Sequence, residues 1–205
     1  MNNYKTEQEQ FWAGSFGDDY SQRNQGVNWV ASNSVLFEKI FAQTQSVESV
    51  IEFGSNVGLN LSAIKALFPK VKLSAVEINE KAVRELEKLE NIKIHQQSIL
   101  DFAEDAQWDF VLIKGVLIHI NPDSLSKVYE VLHKASARYI CIAEYYNPSP
   151  VEVSYRGHEG KLFKRDFAGE MLDKFKDVRL VDYGFVYHRD PFPQDDITWF
   201  LLEKK

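Results

Sequence analysis

The residues with the clearest chemistry fall in one run, Val50-Ile51-Glu52-Phe53-Gly54-Ser55-Asn56-Val57-Gly58-Leu59-Asn60-Leu61. It reads as a strand, a glycine-containing turn and the opening of a helix. Gly54 and Gly58 can take positive φ and let backbone approach a ligand, and the helix start offers unpaired amide hydrogens. The spacing is Gly-x-x-x-Gly, not the G-x-G-x-x-G of dinucleotide sites, and Glu52 stands two residues before the first glycine. A carboxylate there repels pyrophosphate and suits a cation, such as the ammonium of an amino-acid moiety. Nineteen residues after Gly58, Glu77 closes the run Leu73-Ser74-Ala75-Val76-Glu77. An acid at the end of a second strand can accept two hydrogen bonds from ribose hydroxyls.

A parallel sheet would bring these groups to one edge, and the chain alternates β-rich with helix-patterned runs as such a sheet requires. Strands are expected at Ser49 to Phe53, Val71 to Val76, Ile92 to His95, Asp109 to Ile113 and Arg138 to Ala143. Between them, Ala82, Val83, Leu86 and Leu89 share one helix face, and Leu125, Val128, Tyr129 and Leu132 another. Asn79 and Asn121-Pro122 supply their start signals. A further helix is expected from about Asp166 to Phe175, followed by strands Val178 to Tyr187 and Asp196 to Glu203. The short joining segment carries Pro191 and Pro193 and cannot hold a crossover helix, so this last pair should be antiparallel. Tyr145 to Arg165 is the one long irregular stretch, and such loops are usually functional or disordered.

At 205 residues the chain fits a single domain. With 24 Lys+Arg against 30 Asp+Glu its net charge is -6, which disfavours broad nucleic-acid binding. No apolar run approaches the roughly 18 residues of a membrane helix. Lys5, Glu7 and Glu9 stand where a signal peptide would be apolar, so a cytoplasmic location is expected. The single cysteine, Cys141, lies in an apolar run and reads as a packed, inert thiol; it can form neither an internal disulfide nor a Cys-rich metal site, and no metal is expected.

A ligand with both ribose and an amino acid is S-adenosylmethionine (SAM), and the residues above resemble the class I SAM-dependent methyltransferases. Motif I of that family is E/D-x-G-x-x-x-G, and its second strand ends in an acid. The resemblance covers about Ser49 to Lys205. It implies a Rossmann-like, seven-stranded α/β fold, mostly parallel with an antiparallel C-terminal strand. Residues 46–205 would form the SAM-binding domain and residues 1–45 a helical N-terminal cap or lid, within a single domain overall. By the same resemblance Glu52 and Gly54 lie against the methionine part, Asn56 and Gly58 shape the turn, Glu77 takes the ribose and Ile78 flanks adenine. Ser98 and Ile99 fall where the family supplies an adenine-edge contact and an apolar wall, though many members carry Asp in place of Ser98. Lys114 and Gly115 begin the segment that lines the transfer cleft.

The opening Thr6-Glu7-Gln8-Glu9-Gln10-Phe11-Trp12-Ala13-Gly14-Ser15-Phe16-Gly17-Asp18-Asp19-Tyr20, together with the motif I run and Glu77-Ile78-Asn79-Glu80-Lys81-Ala82, resembles the pseudaminic acid biosynthesis-associated methylases. That resemblance implies transfer to a small, anionic acceptor of the nonulosonic acid pathway, a sugar acid or its nucleotide-activated form, with S-adenosylhomocysteine (SAH) as product.

Methyl transfer from a sulfonium needs alignment and exclusion of water more than a nucleophilic side chain. An alcohol acceptor gains from a base with a pKa near the working pH, which favours histidine. His119, after the fourth strand, ranks first and His188, at the end of the penultimate strand, second; packing and capping alone would account for the first, and a plain solvated turn for the second. Tyr145, Tyr146, Tyr155, Arg156 and Lys161 lie in a locally basic loop suited to an anionic acceptor, and solvation alone would account for its charge. Phe11, Trp12, Phe16 and Tyr20 would fold over the cleft, or simply pack on the sheet. An oxidoreductase using NAD, a methyltransferase of another small molecule or RNA, and a non-catalytic SAM-binding protein stand as rivals.

Overall fold

The computed structural model describes residues 4–23 and 27–205. Residues 1–3 and 24–26 of the expected N-terminal cap lie outside the described residues. Three helices come first, α1 (Glu7–Ala13), α2 (Ser15–Arg23) and α3 (Val27–Phe41). Alternation then begins with β1 (Ser49–Phe53), α4 (Leu59–Leu67), β2 (Lys72–Glu77), α5 (Glu80–Leu86) and β3 (Ile92–Gln96). It continues through β4 (Trp108–Lys114), α6 (Leu125–Ala135) and β5 (Ser136–Glu144). The small strands β6 (Val151–Glu152) and β7 (Phe163–Lys164) precede α7 (Phe167–Lys174), β8 (Val178–Val186) and β9 (Ile197–Lys204).

One seven-stranded sheet has the order β3-β2-β1-β4-β5-β9-β8. Its first five strands are mutually parallel, and β9 runs antiparallel to both β5 and β8. The hairpin expected from the short proline-containing connection is therefore present. Strand order reverses between β1 and β4, and ligands of open α/β sheets bind at the carboxyl ends of the strands beside such a switch.

The central strands are buried on both faces, and their side chains alternate between two cores as the two-residue period demands. Ile51, Phe53, Val111 and Ile113 pack with α6 and α7, whereas Val50, Phe110 and Leu112 pack with α3 and α4. Leu36, Phe37, Ile40 and Phe41 of α3 are part of that second core, so this end of α3 packs on the sheet, while its Trp29 and Asn33 lie with α1 and α2 at the strand ends. The stretch expected to be irregular, Tyr145 to Arg165, contains the β6–β7 hairpin, in which Val151 pairs with Lys164. Two-residue strands are too short to show a period in sequence. Among the described residues no helix is long and apolar enough to cross a membrane.

Candidate functional site

A cavity of about 220 Å³ lies at the carboxyl ends of β1, β2 and β4, beneath α1 and α2. Its floor is the turn between β1 and α4. Gly54 has φ +73° and Gly58 φ +80°. A Cβ on Gly54 would stand 2.5 Å from Val116 Cγ2, and one on Gly58 would stand 2.7 Å from both Leu86 Cδ2 and Leu89 Cδ1. Glycine is thus required twice over, by backbone conformation and by space.

Glu77 ends β2 and is buried. Its Oε1 accepts from the amides of Ile78 (2.9 Å) and Asn79 (2.8 Å), and its Oε2 from the amide of Asn56 (2.7 Å). The acid therefore also fastens the glycine turn to β2. Burial pushes its pKa up, and the three amides oppose that shift. A carboxylate accepts about four hydrogen bonds, so capacity remains for a hydroxyl.

Glu52 lies two residues earlier on the neighbouring strand and is fully buried. Asn60 Nδ2 donates to its Oε1 at 2.5 Å, while Glu52 Oε2 and Asn60 Oδ1 are buried without partners among the described residues. Burial raises the Glu52 pKa to about 8. The cavity is lined by Asn60, not by Glu52 itself, so the acid expected against the ligand stands one side chain behind it. With Glu52 ionised, its Oε2 and Asn60 Oδ1 are two acceptors without donors among the described residues, the complement of an ammonium group.

Gly54, Asn56, Glu77, Ile78, Ser98 and Ile99 all line the cavity, as do Lys114, Gly115, His119 and Tyr20. Gly58 shapes the turn from behind. Lys114, at the end of β4, is half-buried, and burial lowers its pKa while the Glu52 carboxyl opposes the shift. It makes no ion pair among the described residues, and no other Lys or Arg among them lines the cavity.

His119 is buried, with its ring centroid 4.5 Å from that of Trp12 and 4.9 Å from that of Tyr155. Its Nδ1 lies 2.6 Å from the carbonyl oxygen of Lys161. A carbonyl can only accept, so Nδ1 carries the proton and Nε2 is the bare nitrogen. Burial lowers the pKa of the ring to about 4, which keeps it neutral. The helical turn bearing it is held by Glu144, whose Oε1 accepts from the amides of Val116 and Leu117 at 2.9 Å each. Glu144 is 2% exposed, its Oε2 has no partner among the described residues, and burial raises its pKa to about 7. Glu144 and the cavity-lining Asp195 are not among the residues expected from the sequence. The first closes an apolar strand just as Glu77 does, which was the available signal.

The two short helices are tied down at the same strand ends. Asn79, which caps α5, donates through Nδ2 to the carbonyl of Trp12 (3.2 Å) and to Asp18 Oδ1 (3.0 Å). Ser21 Oγ donates to Asn56 Oδ1 (2.7 Å), and Gln8 Nε2 to the carbonyl of Gly160 (2.9 Å). Ser98 Oγ bonds the Glu9 carboxylate. Trp12 Nε1 and Gln8 Oε1 remain buried without partners among the described residues, and both residues line the cavity.

Other expected contacts lie elsewhere. Tyr155 does not line the cavity and meets the site through the rings of His119, Trp12 and Phe16, and Arg156 is exposed above Tyr155, 5.8 Å from its centroid. The Lys161 ammonium meets Glu7 at 3.4 Å, so this residue reaches His119 through its carbonyl alone. Tyr145 is half-buried below Lys164, outside the cavity lining, and burial raises its pKa. Tyr146 is exposed and packs against Phe200. His188 is exposed, pairs through Nδ1 with Asp196 at 2.9 Å and does not line the cavity. With Arg165 paired to Glu170 at 2.5 Å as well, much of the basic loop's charge is already balanced.

No family model matches the sequence. No curated protein matches it significantly. Solved structures do resemble it in three dimensions. The 1,6-didemethyltoxoflavin-N1-methyltransferase of Burkholderia thailandensis, with 1,6-didemethyltoxoflavin and SAH bound, is 12% identical; the match covers 96% of this chain and 87% of that one, with a TM-score of 0.71. The magnesium protoporphyrin IX methyltransferase of Synechocystis PCC 6803 with bound SAM is 14% identical over 100% of both chains, with a TM-score of 0.67. A glycopeptide N-methyltransferase complexed with SAH is 10% identical, covering 85% of this chain and 90% of that one, again with a TM-score of 0.67. The parallel five-strand core, the reversal between β1 and β4 and the antiparallel β9 are features of one architecture: the chain has the class I SAM-dependent methyltransferase fold.

Proposed function

We propose that this protein is a SAM-dependent methyltransferase whose acceptor is a small, anionic, sugar-type molecule such as a nonulosonic acid or its nucleotide-activated form. The observation that carries the reading is the placement, on either side of one glycine turn, of Glu77 and of Glu52 Oε2 and Asn60 Oδ1, which have no partners among the described residues. This matches a ligand with ribose at one end and an ammonium at the other. Neighbours of the same fold with bound SAM or SAH support the same cofactor. When bound, SAM supplies an electrophilic methyl group on a sulfonium centre.

The chain's own residues then have separable tasks. Glu52, Asn60 and the Gly54–Gly58 turn hold the amino-acid end, and Glu77 the ribose. Trp12, Phe16 and Tyr20, on the lid formed by α1 and α2, exclude water, which strengthens the electrostatic interactions inside. Nε2 of neutral His119 takes the proton of an acceptor hydroxyl. Lys114 is the cation available to an anionic acceptor. A sugar acid also agrees with the resemblance of the opening segment to the pseudaminic acid-associated methylases.

The test is calorimetric titration with SAH, with NADH as control, followed by acceptor-dependent turnover with nonulosonic acids and their nucleotide-activated forms. Micromolar binding of SAH alone and turnover that requires the sugar acid are expected. Binding of NADH instead would overturn the cofactor, and turnover only with uncharged acceptors would overturn the acceptor class.

A further inference from the structure

Beside Glu77 the cavity is lined by Ile78, Gln97, Ser98, Ile99 and Leu100, and from the lid by Glu9. In the β2–β3 register Glu77 stands opposite Gln96, and the amide of Gln97 donates to the Glu77 carbonyl at 3.1 Å, so Gln97 and Ser98 leave β3 beside Ile78 and Asn79 leaving β2. A ribose held by Glu77 has room for its base against Ile78, Ile99 and Leu100, an apolar setting that suits a flat ring.

The polar edge of this slot has an unusual composition. Ser98 Oγ accepts from the amide of Leu100 (2.9 Å) and bonds Glu9 Oε1. A carboxylate without a proton can only accept, so the hydroxyl proton of Ser98 is committed to Glu9. Glu9 Oε2 accepts from the amides of Lys5 (2.5 Å) and Thr6 (3.3 Å), the latter closing the capping box of α1. Glu9 is nine-tenths buried, and its Oε1 keeps a lone pair. The Ser98–Glu9 pair therefore offers acceptors and no donor. A purine with an exocyclic amine complements that edge, whereas a 6-oxo purine would set oxygen against oxygen.

We propose that Glu9, carried by the lid helix α1, reads the 6-amino edge of the cofactor's adenine, so that the N-terminal helix is part of the nucleoside site. This rests on the SAM reading above and adds to it: the base is recognised by a residue 43 positions before Glu52 in the chain, and closing the lid completes the cofactor site.

The experiment compares SAH with its 6-oxo analogue S-inosylhomocysteine by calorimetry on the wild type and on Glu9→Gln. Glutamine is accepted at this capping-box position, so α1 keeps its start. The wild type should favour SAH by about tenfold or more, the worth of a charge-assisted hydrogen bond. Glu9→Gln, which can also donate, should bring the two ligands to within about threefold. A variant that binds SAH and keeps the wild-type preference overturns the role of Glu9 alone. A wild type that binds neither ligand overturns the SAM reading and this one with it. If Glu9→Gln fails to fold, Glu9→Asp withdraws the carboxylate by one methylene and should likewise narrow the preference; an unchanged ratio there overturns the proposal.

Discussion

Glu52 is a buried acid whose carboxyl, at about pKa 8, is largely protonated at neutral pH, and it stands behind an asparagine that faces the cavity. An incoming ammonium favours the ionised form, so ligand binding should release a proton and tighten as pH rises from 6 towards 8, levelling off above. Calorimetry of SAH in buffers of different ionisation enthalpy reads that proton directly, and affinity independent of pH would remove Glu52 from the site. Glu77→Ala should weaken SAH by about tenfold or more, since it loses both ligand contacts and the Asn56 anchor. For His119 the depressed pKa of about 4 means that the basic form is already present throughout the neutral range. With an acceptor in hand, kcat/KM should stay level on the acid side down to about pH 5, and His119→Gln should cost about a hundredfold or more in kcat. A rate that falls with an apparent pKa near 6.5 would place the titrating group elsewhere. At this scale Glu52, Gly54 and Gly58 stand out because their spacing is local, and Glu77 because an acid closes an apolar strand. The Lys161 carbonyl that fixes the His119 tautomer was not, since a backbone atom leaves no trace in residue type.

At the scale of elements, Asn79 does two jobs: its Oδ1 accepts from the amide of Ala82 to start α5, and its Nδ2 holds the lid through Trp12 and Asp18. Asn79→Ala should therefore destabilise the fold by about 1–2 kcal/mol in urea unfolding. It should also speed proteolysis within residues 4–23 more than Thr6→Ala, which removes only a cap. Equal proteolysis of the two variants would count against the tie. The parallel strands and the terminal hairpin were readable from apolar runs and from a connection too short for a crossover. In contrast, α3 was not separable from α1 and α2 by pattern alone, because burying Phe37, Ile40 and Phe41 against α4 is a tertiary fact. The basic loop misled for a related reason. Lys161 finds Glu7 at the other end of the chain and Arg165 finds Glu170 just beyond the loop, so a charge count over the loop alone does not reveal either pairing.

The whole molecule carries the cost of holding uncompensated polar groups at one end of its sheet. Glu52 at about 8 and Glu144 at about 7 both titrate above the ordinary value of 4.5, so between those limits the folded state keeps protons that the unfolded chain has released. Stability should then rise as pH falls through 8 and 7. His119 acts oppositely, but only between its ordinary 6.5 and about 4, where the unfolded chain takes up a proton that the buried ring refuses. Lys114, with its pKa lowered by burial, also acts against the acids below its ordinary 10.5. From pH 8 to 6.5 the two acids by themselves contribute about 2 kcal/mol of stability to the unliganded protein, or roughly 5 °C in Tm. Saturating SAH should flatten or reverse that slope, since a bound ammonium keeps Glu52 ionised, and Glu52→Gln should flatten it without ligand. Melting curves at the two pH values, with and without SAH, decide the matter. A Tm that climbs with pH in the unliganded wild type would mean that these carboxyls are not the strained groups of the fold. A liganded protein with an unchanged slope would mean that the cofactor's cation does not meet them.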